Sequence, residues 1–218
     1  MKKFFLLITI VLIIVLSFSK NKEKEEIDLV IIDSGISRTM ELPDNVTIKH
    51  YNSKENTNDH ADLVFETLLD NIGSIDSDQL TIHDITVTNS NSVSVDSLYN
   101  ALTIAKDLNP DIINLSLGVN LDDKNIRTII DELTKDGVII VAAAGNKFGM
   151  SAQYPARYSN VISVGSLDKQ GNISSFSARK YVDEYRIGEY DLYSGTSFSA
   201  PIVTAEIINS TFAVEIVE

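Results

Sequence analysis

Short apolar runs and amphipathic stretches alternate along the chain. Apolar runs of four to six residues, and one stretch of alternating character, predict buried strands at 27–32, 80–88, 112–115, 138–142 and 161–164. Apolar positions spaced three and four apart predict helices that begin near His60, cover 95–108 and about 123–135, and begin again at or just after Ser197. Residues 37–59 are mostly polar and predict irregular structure.

The alternation of strands and helices predicts an α/β fold. Parallel strands need crossover connections, so we expect a mostly parallel central sheet with helices on both faces. In such sheets functional groups gather at the carboxyl ends of the strands. Asp33, Ser116-Leu117-Gly118 and Gly145-Asn146 each follow a predicted buried strand. These segments are therefore candidates for a functional site.

The N-terminus has the pattern of a secretory signal peptide. Two lysines precede an apolar run over 4–16, and the small residues Ser17 and Ser19 predict cleavage after Ser19. The alternative is an uncleaved anchor, although the run is short for a bilayer span. In both cases we expect the following domain outside the cell, with membrane contact only if the anchor is retained. The chain then divides into a signal segment, a polar linker and one domain, at residues 1–19, 20–26 and 27–218.

Composition excludes several classes of protein. The chain has no cysteine, which excludes disulfides, a cysteine nucleophile and a zinc–thiolate site. Its net charge of −13, with lysine and arginine scattered along the sequence, argues against a nucleic-acid partner. The first strand is not followed by a glycine-rich phosphate-binding motif, which argues against a nucleotide-binding domain.

The segment Gly195-Thr196-Ser197-Phe198-Ser199-Ala200-Pro201 joins a flexible turn to the start of a helix. Taken alone, a serine at this place is most simply a helix cap. The segment resembles the nucleophile motif of the subtilisin-like peptidases, Gly-Thr-Ser-Met-Ala-x-Pro. Four further segments resemble that family's aspartate motif, substrate-binding strand, oxyanion segment and next landmark, in its order, at 30–36, 111–118, 141–146 and 154–165. One short string is a weak signal, but five in order are specific.

The resemblance implies a subtilisin-like three-layer α/β fold and a serine endopeptidase acting on a peptide or protein substrate. It implies Ser197 as nucleophile, His60 as base and Asp33 as the buried carboxylate that orients the base. The Asn146 side-chain amide and the Ser197 N–H would form the oxyanion hole. It assigns substrate binding to Ser116, Leu117, Gly118, Ala144 and Gly145, and places residues 89–93 where the family's opposing substrate strand falls.

The histidine motif departs from the family pattern. The family has His-Gly-Thr-His-Val, whereas this chain has His60-Ala61-Asp62-Leu63-Val64. His83 lies in a strand pattern, which predicts a core or edge histidine, and His50 lies in a polar segment without a helix start. His60 alone begins a helix between Asp33 and Ser116, so we interpret it as the base. The altered motif leaves an alternative open, an inactive relative that binds a peptide.

Further departures concern size and specificity. Few residues separate the signal segment from the first strand, where secreted relatives carry a propeptide, and the chain ends 21 residues after Ser197. The helix predicted after His60 lacks the loop that holds calcium in many relatives, so we expect no tight metal site and no cofactor. These features suggest a reduced peptidase with a narrow substrate, such as the leader of a precursor peptide. Lys147, next to Asn146, would favour an acidic side chain before the cleaved bond.

Overall fold

A computed structural model describes residues 26–52, 59–73, 80–87 and 93–213. The predicted signal segment and nearly all of the linker lie outside the described residues, as does most of the segment 89–93. None of the described helices is both long and apolar enough to cross a membrane.

The central layer is a parallel β-sheet. Within the described ranges seven strands pair in the order β2-β3-β1-β4-β5-β6-β7, and all neighbours are parallel. The strands are β1 (Ile27–Asp33), β2 (Val46–Tyr51), β3 (Leu80–Thr86), β4 (Ile112–Leu115), β5 (Ile139–Ala143), β6 (Ile162–Leu167) and β7 (Glu184–Ile187). A two-stranded hairpin follows, β8 (Glu189–Tyr190) and β9 (Tyr193–Ser194).

Four described helices cover the two faces of the sheet: α1 (His60–Asn71), α2 (Val95–Leu108), α3 (Lys124–Lys135) and α4 (Thr196–Ala213). Side chains of a strand alternate between its two faces. Val30 and Ile32 therefore pack in the cluster that includes α2 and α3, whereas Leu29 and Ile31 pack in the cluster that includes α1 and α4. The predicted α/β fold with helices on both faces is confirmed.

Local signals set the helix ends. Ser94 and Asp123 precede α2 and α3, and their side-chain oxygens accept hydrogen bonds from backbone N–H groups of the first turn. Asn109 ends α2 in the left-handed conformation, directly before Pro110. The last helix begins at Thr196, so Ser197 lies in its first turn.

The sequence-based prediction is wrong for residues 37–59, which contain the strand β2. β2 is an edge strand with one covered face. Val46 is buried and Ile48 half-buried, while Thr47 and Lys49 are exposed. An alternation this short, within a polar segment, carries little hydrophobic signal. The strand β7 and the β8–β9 hairpin were not predicted either, because their side chains are half-buried or exposed.

Candidate active site

Three neighbouring strands of the sheet end at one cleft. β1, β4 and β5 are adjacent and parallel, so Asp33, Ser116 and Gly145 come together at their carboxyl ends. The cleft has a volume of about 760 Å³, and its lining includes His60 and Ser197. Five segments that are far apart in the sequence therefore contribute to one site.

Asp33 and His60 form a hydrogen-bonded pair. His60 Nδ1 lies 2.7 Å from Asp33 Oδ1, and Asp33 is 3% exposed. An ionised carboxylate only accepts hydrogen bonds, so Nδ1 donates and Nε2 keeps its lone pair. Burial lowers the pKa of His60, but the hydrogen bond and the charge of Asp33 outweigh it and raise the pKa above 6.5. This pair can accept a proton at Nε2 and stabilise the resulting imidazolium.

The turn after β1 also contacts the start of α1. Ser34 Oγ accepts a hydrogen bond from the Ala61 N–H at 3.2 Å, and Asp62 accepts one from the Ser37 N–H at 2.7 Å. Ala61 and Val64 are fully buried. Ala61 and Asp62, two residues that differ from the family's histidine motif, therefore join the start of α1 to this turn, next to His60.

Ser197 lies in the first turn of α4 and contacts the end of β4. Its Oγ donates to the Ser116 carbonyl at 2.8 Å, and the Ser116 Oγ donates to the Ser197 carbonyl at 2.8 Å. The next residue, Phe198, is buried with its ring centroid 5.9 Å from that of His60. These contacts hold the hydroxyl and the imidazole in the same part of the cleft.

A buried chain of polar side chains supports this contact. Thr204 of α4 donates to Asn114 Oδ1 at 2.9 Å, and Asn114 Nδ2 donates to Ser116 Oγ at 3.1 Å. Sequence reasoning did not assign a role to Thr204 or to the Asn114 side chain. A signal was available for Asn114, because an amide inside an apolar strand requires a buried partner.

The Asn146 amide has a defined orientation. Its Oδ1 accepts a hydrogen bond from the Thr196 N–H at 3.0 Å. A backbone N–H can only donate, so the oxygen must face Thr196 and Nδ2 lies on the opposite side. Nδ2 donates to no acceptor within the described chain and remains available at the cleft, which Asn146 lines. Thr196 Oγ1 also accepts from the Gly145 N–H at 3.0 Å, a contact that sequence reasoning missed.

The predicted substrate-binding residues divide into two groups. Ser116, Leu117, Gly118 and Gly145 line the cleft. Ala144 does not, because its side chain is fully buried in the core. Its N–H donates to Val164 and its carbonyl accepts from Gln153.

Two rim positions complete the cleft. Val93, the described end of the segment 89–93, lines it, and so does Lys147. Among the described residues no group of three or more His, Asp or Glu side chains is arranged to hold a metal ion. The expectation that the protein uses no metal stays a prediction.

Comparison with known proteins identifies the class. Residues 25–208 match the profile of the family described as "Subtilase family". The match covers most of the chain, which therefore belongs to the subtilase family. The fold described above agrees with this assignment.

Individual relatives show the extent of the similarity. The chain is 34% identical to thermitase of Thermoactinomyces vulgaris over 126 residues, 53% of this chain and 45% of that protein. It is 28% identical to a thermophilic serine proteinase of Bacillus sp. (strain AK1) over 199 residues, 81% of this chain and 50% of that protein. The chain thus spans about half the length of these relatives. The structure of the prenylagaramide maturation protease PagA has a TM-score of 0.72 at 22% identity and covers 93% of this chain and 81% of its own.

Proposed function

We propose that the chain is a serine endopeptidase that hydrolyses peptide bonds through an acyl-enzyme. One observation supports this most strongly: the hydrogen-bonded Asp33–His60 pair lies in the same cleft as Ser197. A serine hydroxyl is a poor nucleophile at neutral pH and needs an adjacent base. The His60 imidazole, oriented by Asp33, supplies that base through Nε2.

Each step of the reaction then has a residue. Ser197 Oγ attacks the peptide carbonyl while its proton passes to His60 Nε2, and the Asp33 carboxylate stabilises the imidazolium. Asn146 Nδ2 and the Ser197 N–H donate to the oxyanion. The C–N bond breaks as His60 gives the proton to the leaving amine. Water then attacks the acyl-enzyme carbonyl while His60 Nε2 takes its proton. His60 gives that proton to Ser197 Oγ as the ester bond breaks, which releases the product and restores the serine.

The unliganded site requires one adjustment before this reaction. The Ser197 hydroxyl hydrogen points to the Ser116 carbonyl at 2.8 Å, so it must turn toward His60 for proton transfer. Catalytic hydrogen bonds of unliganded enzymes often form only when substrate is bound. A substrate strand that pairs beside Ser116, Leu117 and Gly118 would displace this internal contact.

A fluorophosphonate probe tests the proposal directly, because it labels a serine only when the base activates it. We expect labelling of the wild type and of the control Ser175→Ala, whose serine is exposed outside the cleft. Labelling should disappear in Ser197→Ala. A folded wild-type protein without label would overturn the proposal and favour the alternative, an inactive relative that binds a peptide.

Lys147 supports a preference for an acidic residue before the cleaved bond, because its position lines the cleft next to Asn146. Paired substrates with Glu or Gln at that position test it. The wild type should cleave the Glu substrate with the higher kcat/KM, and Lys147→Gln should remove the difference. Equal rates for both substrates with the wild type would contradict this preference.

A narrow substrate, such as the leader of a precursor peptide, is the finer part of the proposal. It is motivated by the similarity to a structure named as a maturation protease, although at 22% identity that similarity concerns the fold alone. Mass spectrometry of products from a proteome-derived peptide library tests it. A few related sequences would agree with a narrow role, and broad digestion would exclude one.

Secretion is also part of the proposal, on the basis of the N-terminal pattern alone. We expect the protein outside the cell with Lys20 as its first residue. N-terminal sequencing of the exported protein checks this. An intact N-terminus in the membrane fraction would instead support the anchor.

A further inference from the structure

Positive charge is concentrated in one part of this acidic chain. Residues 145–181 contain five lysine or arginine residues and one acidic residue, a net charge of +4 in a chain of net charge −13. The rest of the sequence is correspondingly more acidic, at −17. These cations are scattered along the sequence, so the sequence alone predicts no basic patch. The fold decides whether they lie close together.

The fold brings two segments, residues 147–152 and 176–180, side by side. Backbone hydrogen bonds join Phe148 to Phe176 at 2.7 Å, Gly149 to Ser177 at 2.8 Å and Ala152 to Lys180 at 2.9 Å. A Cβ at Gly149 would lie 3.6 Å from the Arg179 side chain. Lys147, at the start of the first segment, is thereby on the same part of the surface as the cations at the end of the second.

Arg157 joins the same surface through aromatic rings. Its guanidinium carbon lies 4.5 Å from the centroid of the Tyr181 ring and 5.5 Å from that of Tyr154. Phe148 and Met150 are exposed nearby, at 76% and 67%. We call this region the basic surface, and it consists of Lys147, Phe148, Met150, Arg157, Arg179, Lys180 and Tyr181.

The charges of the basic surface are not neutralised within the described part of the protein. None of its four cations lies in an ion pair there, whereas Lys106, Arg127 and Arg186 each pair with a carboxylate. Arg179 and Lys180 are also exposed. Unpaired cations beside exposed apolar side chains match a ligand that carries both acidic and apolar groups.

The basic surface is continuous with the cleft. Lys147 and Gly145 line the cleft, and the Gly145 carbonyl accepts from the Ala178 N–H at 3.1 Å, directly before Arg179. We infer that the basic surface binds an acidic segment of the peptide substrate. This segment is separate from the residues on either side of the cleaved bond. This inference rests on the proposed peptidase function and extends it to a second contact with the substrate.

Binding to the full-length Ser197→Ala protein tests the inference without cleavage. The probe is a fluorescein-labelled peptide of alternating Glu and Leu, and its control has Gln in place of Glu. Fluorescence anisotropy should show tighter binding of the Glu peptide. Adding Arg179→Ala and Lys180→Ala should weaken that binding about three- to tenfold, and salt at ~0.5 M should reduce the effect because exposed charges are screened.

A matched variant controls for net charge. Lys124→Ala with Lys135→Ala removes two exposed cations from α3 and should leave binding of the Glu peptide unchanged. Thermal melting establishes that both double variants are folded. Equal binding of the Glu and Gln peptides, or equal loss in both double variants, would overturn the inference.

Two further outcomes are distinguishable. If the basic surface binds anionic phosphatidylglycerol vesicles while the Glu peptide binds no better than the Gln peptide, the partner is a membrane and the inference is wrong. If fluorophosphonate labelling fails while the Glu peptide still binds through Arg179 and Lys180, the peptidase function fails and the binding surface stands.

Discussion

Two of the histidine–aspartate pairs in the described chain contact the carboxylate through the imidazole Nδ1, and they lie on neighbouring parts of the sheet. His60 Nδ1 lies 2.7 Å from Asp33 Oδ1, and His50 Nδ1 lies 2.8 Å from Asp84 Oδ2. Asp33 belongs to β1 and Asp84 to the adjacent strand β3, and both carboxylates are buried. A carboxylate paired with an imidazole Nδ1 thus occurs twice among the described residues, and the imidazole of His83 contacts Asp28 Oδ1 through Nε2 at 2.8 Å.

The two pairs differ in what surrounds the imidazole. The His60 side chain is 38% exposed and lines the cleft with Ser197, whereas the His50 side chain is 15% exposed and lies opposite Asp84 in the strand register. His60 pairs with Asp33, the last residue of β1, at the carboxyl edge of the sheet where loops form sites. A His–Asp pair acts as a catalytic base only where a nucleophile and oxyanion donors lie in the same cleft.

The second pair has a structural role near the first. Asp84 Oδ2 also accepts from the Ile36 N–H at 3.1 Å, which ties the turn after Asp33 to β3. Burial raises the pKa of Asp84, although the hydrogen bonds from His50 and Ile36 act in the opposite direction. Asp84 thereby helps to hold the backbone that presents Asp33 and Ser34 to α1.

The largest expected difference between the pairs is in activity. His60→Ala should lower kcat/KM about 10⁴-fold or more, because the nucleophile loses its base. His50→Ala should stay within about tenfold of the wild type, since its imidazole does not reach the cleft. Peptide-cleavage kinetics, with circular dichroism to verify folding, measure both. A comparable loss in the two variants would end the distinction between the pairs.

The second-largest expected effect is the loss of activity when an oxyanion donor is removed from the site of the Asp33–His60 pair. Asn146→Ala should lower kcat about 10²- to 10³-fold, equivalent to about 2.7–4 kcal/mol, a range that comes from subtilisin itself. The control Asn172→Ala changes an exposed amide whose hydrogen bonds within the described chain are made to Asp168. Wild-type kcat in Asn146→Ala would show that Nδ2 does not bind the oxyanion.

The structural pair should be more important for stability than for chemistry. Asp84→Ala leaves His50 Nδ1 and the Ile36 N–H without their acceptor, so the free energy of unfolding should fall by about 2–4 kcal/mol. Activity per folded molecule should change less than in His60→Ala. Urea unfolding measures the first quantity. Asp136→Ala, at an exposed position, is the control, and an equal effect of the two changes would refute the structural role.

The smallest expected effect is the pH dependence. Catalysis needs neutral His60, and its pKa is raised above 6.5, so kcat/KM should fall with decreasing pH with a midpoint above 6.5. The sign for stability is opposite. The Asp33–His60 interaction contributes fully below pH 6.5, and its contribution is lost as the pH rises through the folded-state pKa.

Kinetics across the pH range test this prediction, and His50→Ala should keep the same midpoint. A midpoint at or below 6.5 in the wild type would contradict the effect of Asp33 on His60. A midpoint that moves in His50→Ala would show that the two pairs titrate together.

Much of the fold could be predicted from local patterns. The strands β1, β4, β5 and β6 are buried on both faces, so apolar residues occur on both faces of each, although polar residues such as Asn114 and Ser163 interrupt them. The edge strand β2 has only one covered face. Because its other positions are polar, the hydrophobic pattern did not predict it as a strand. For the site, Asp33 and Ser197 were predicted by motifs at element ends, and their catalytic roles stay predictions until kinetics are measured.

The sequence by itself determined where most of the buried strands lie and which polar residues follow them, because hydrophobic periodicity is a property of each segment alone. Only the tertiary structure decided the partners of those residues. The orientation of Asn146 depends on Thr196, the contact of Ser197 depends on Ser116, and His50 meets Asp84. These groups lie 34 to 81 residues apart. Strand order and register bring them together, and no local pattern encodes either.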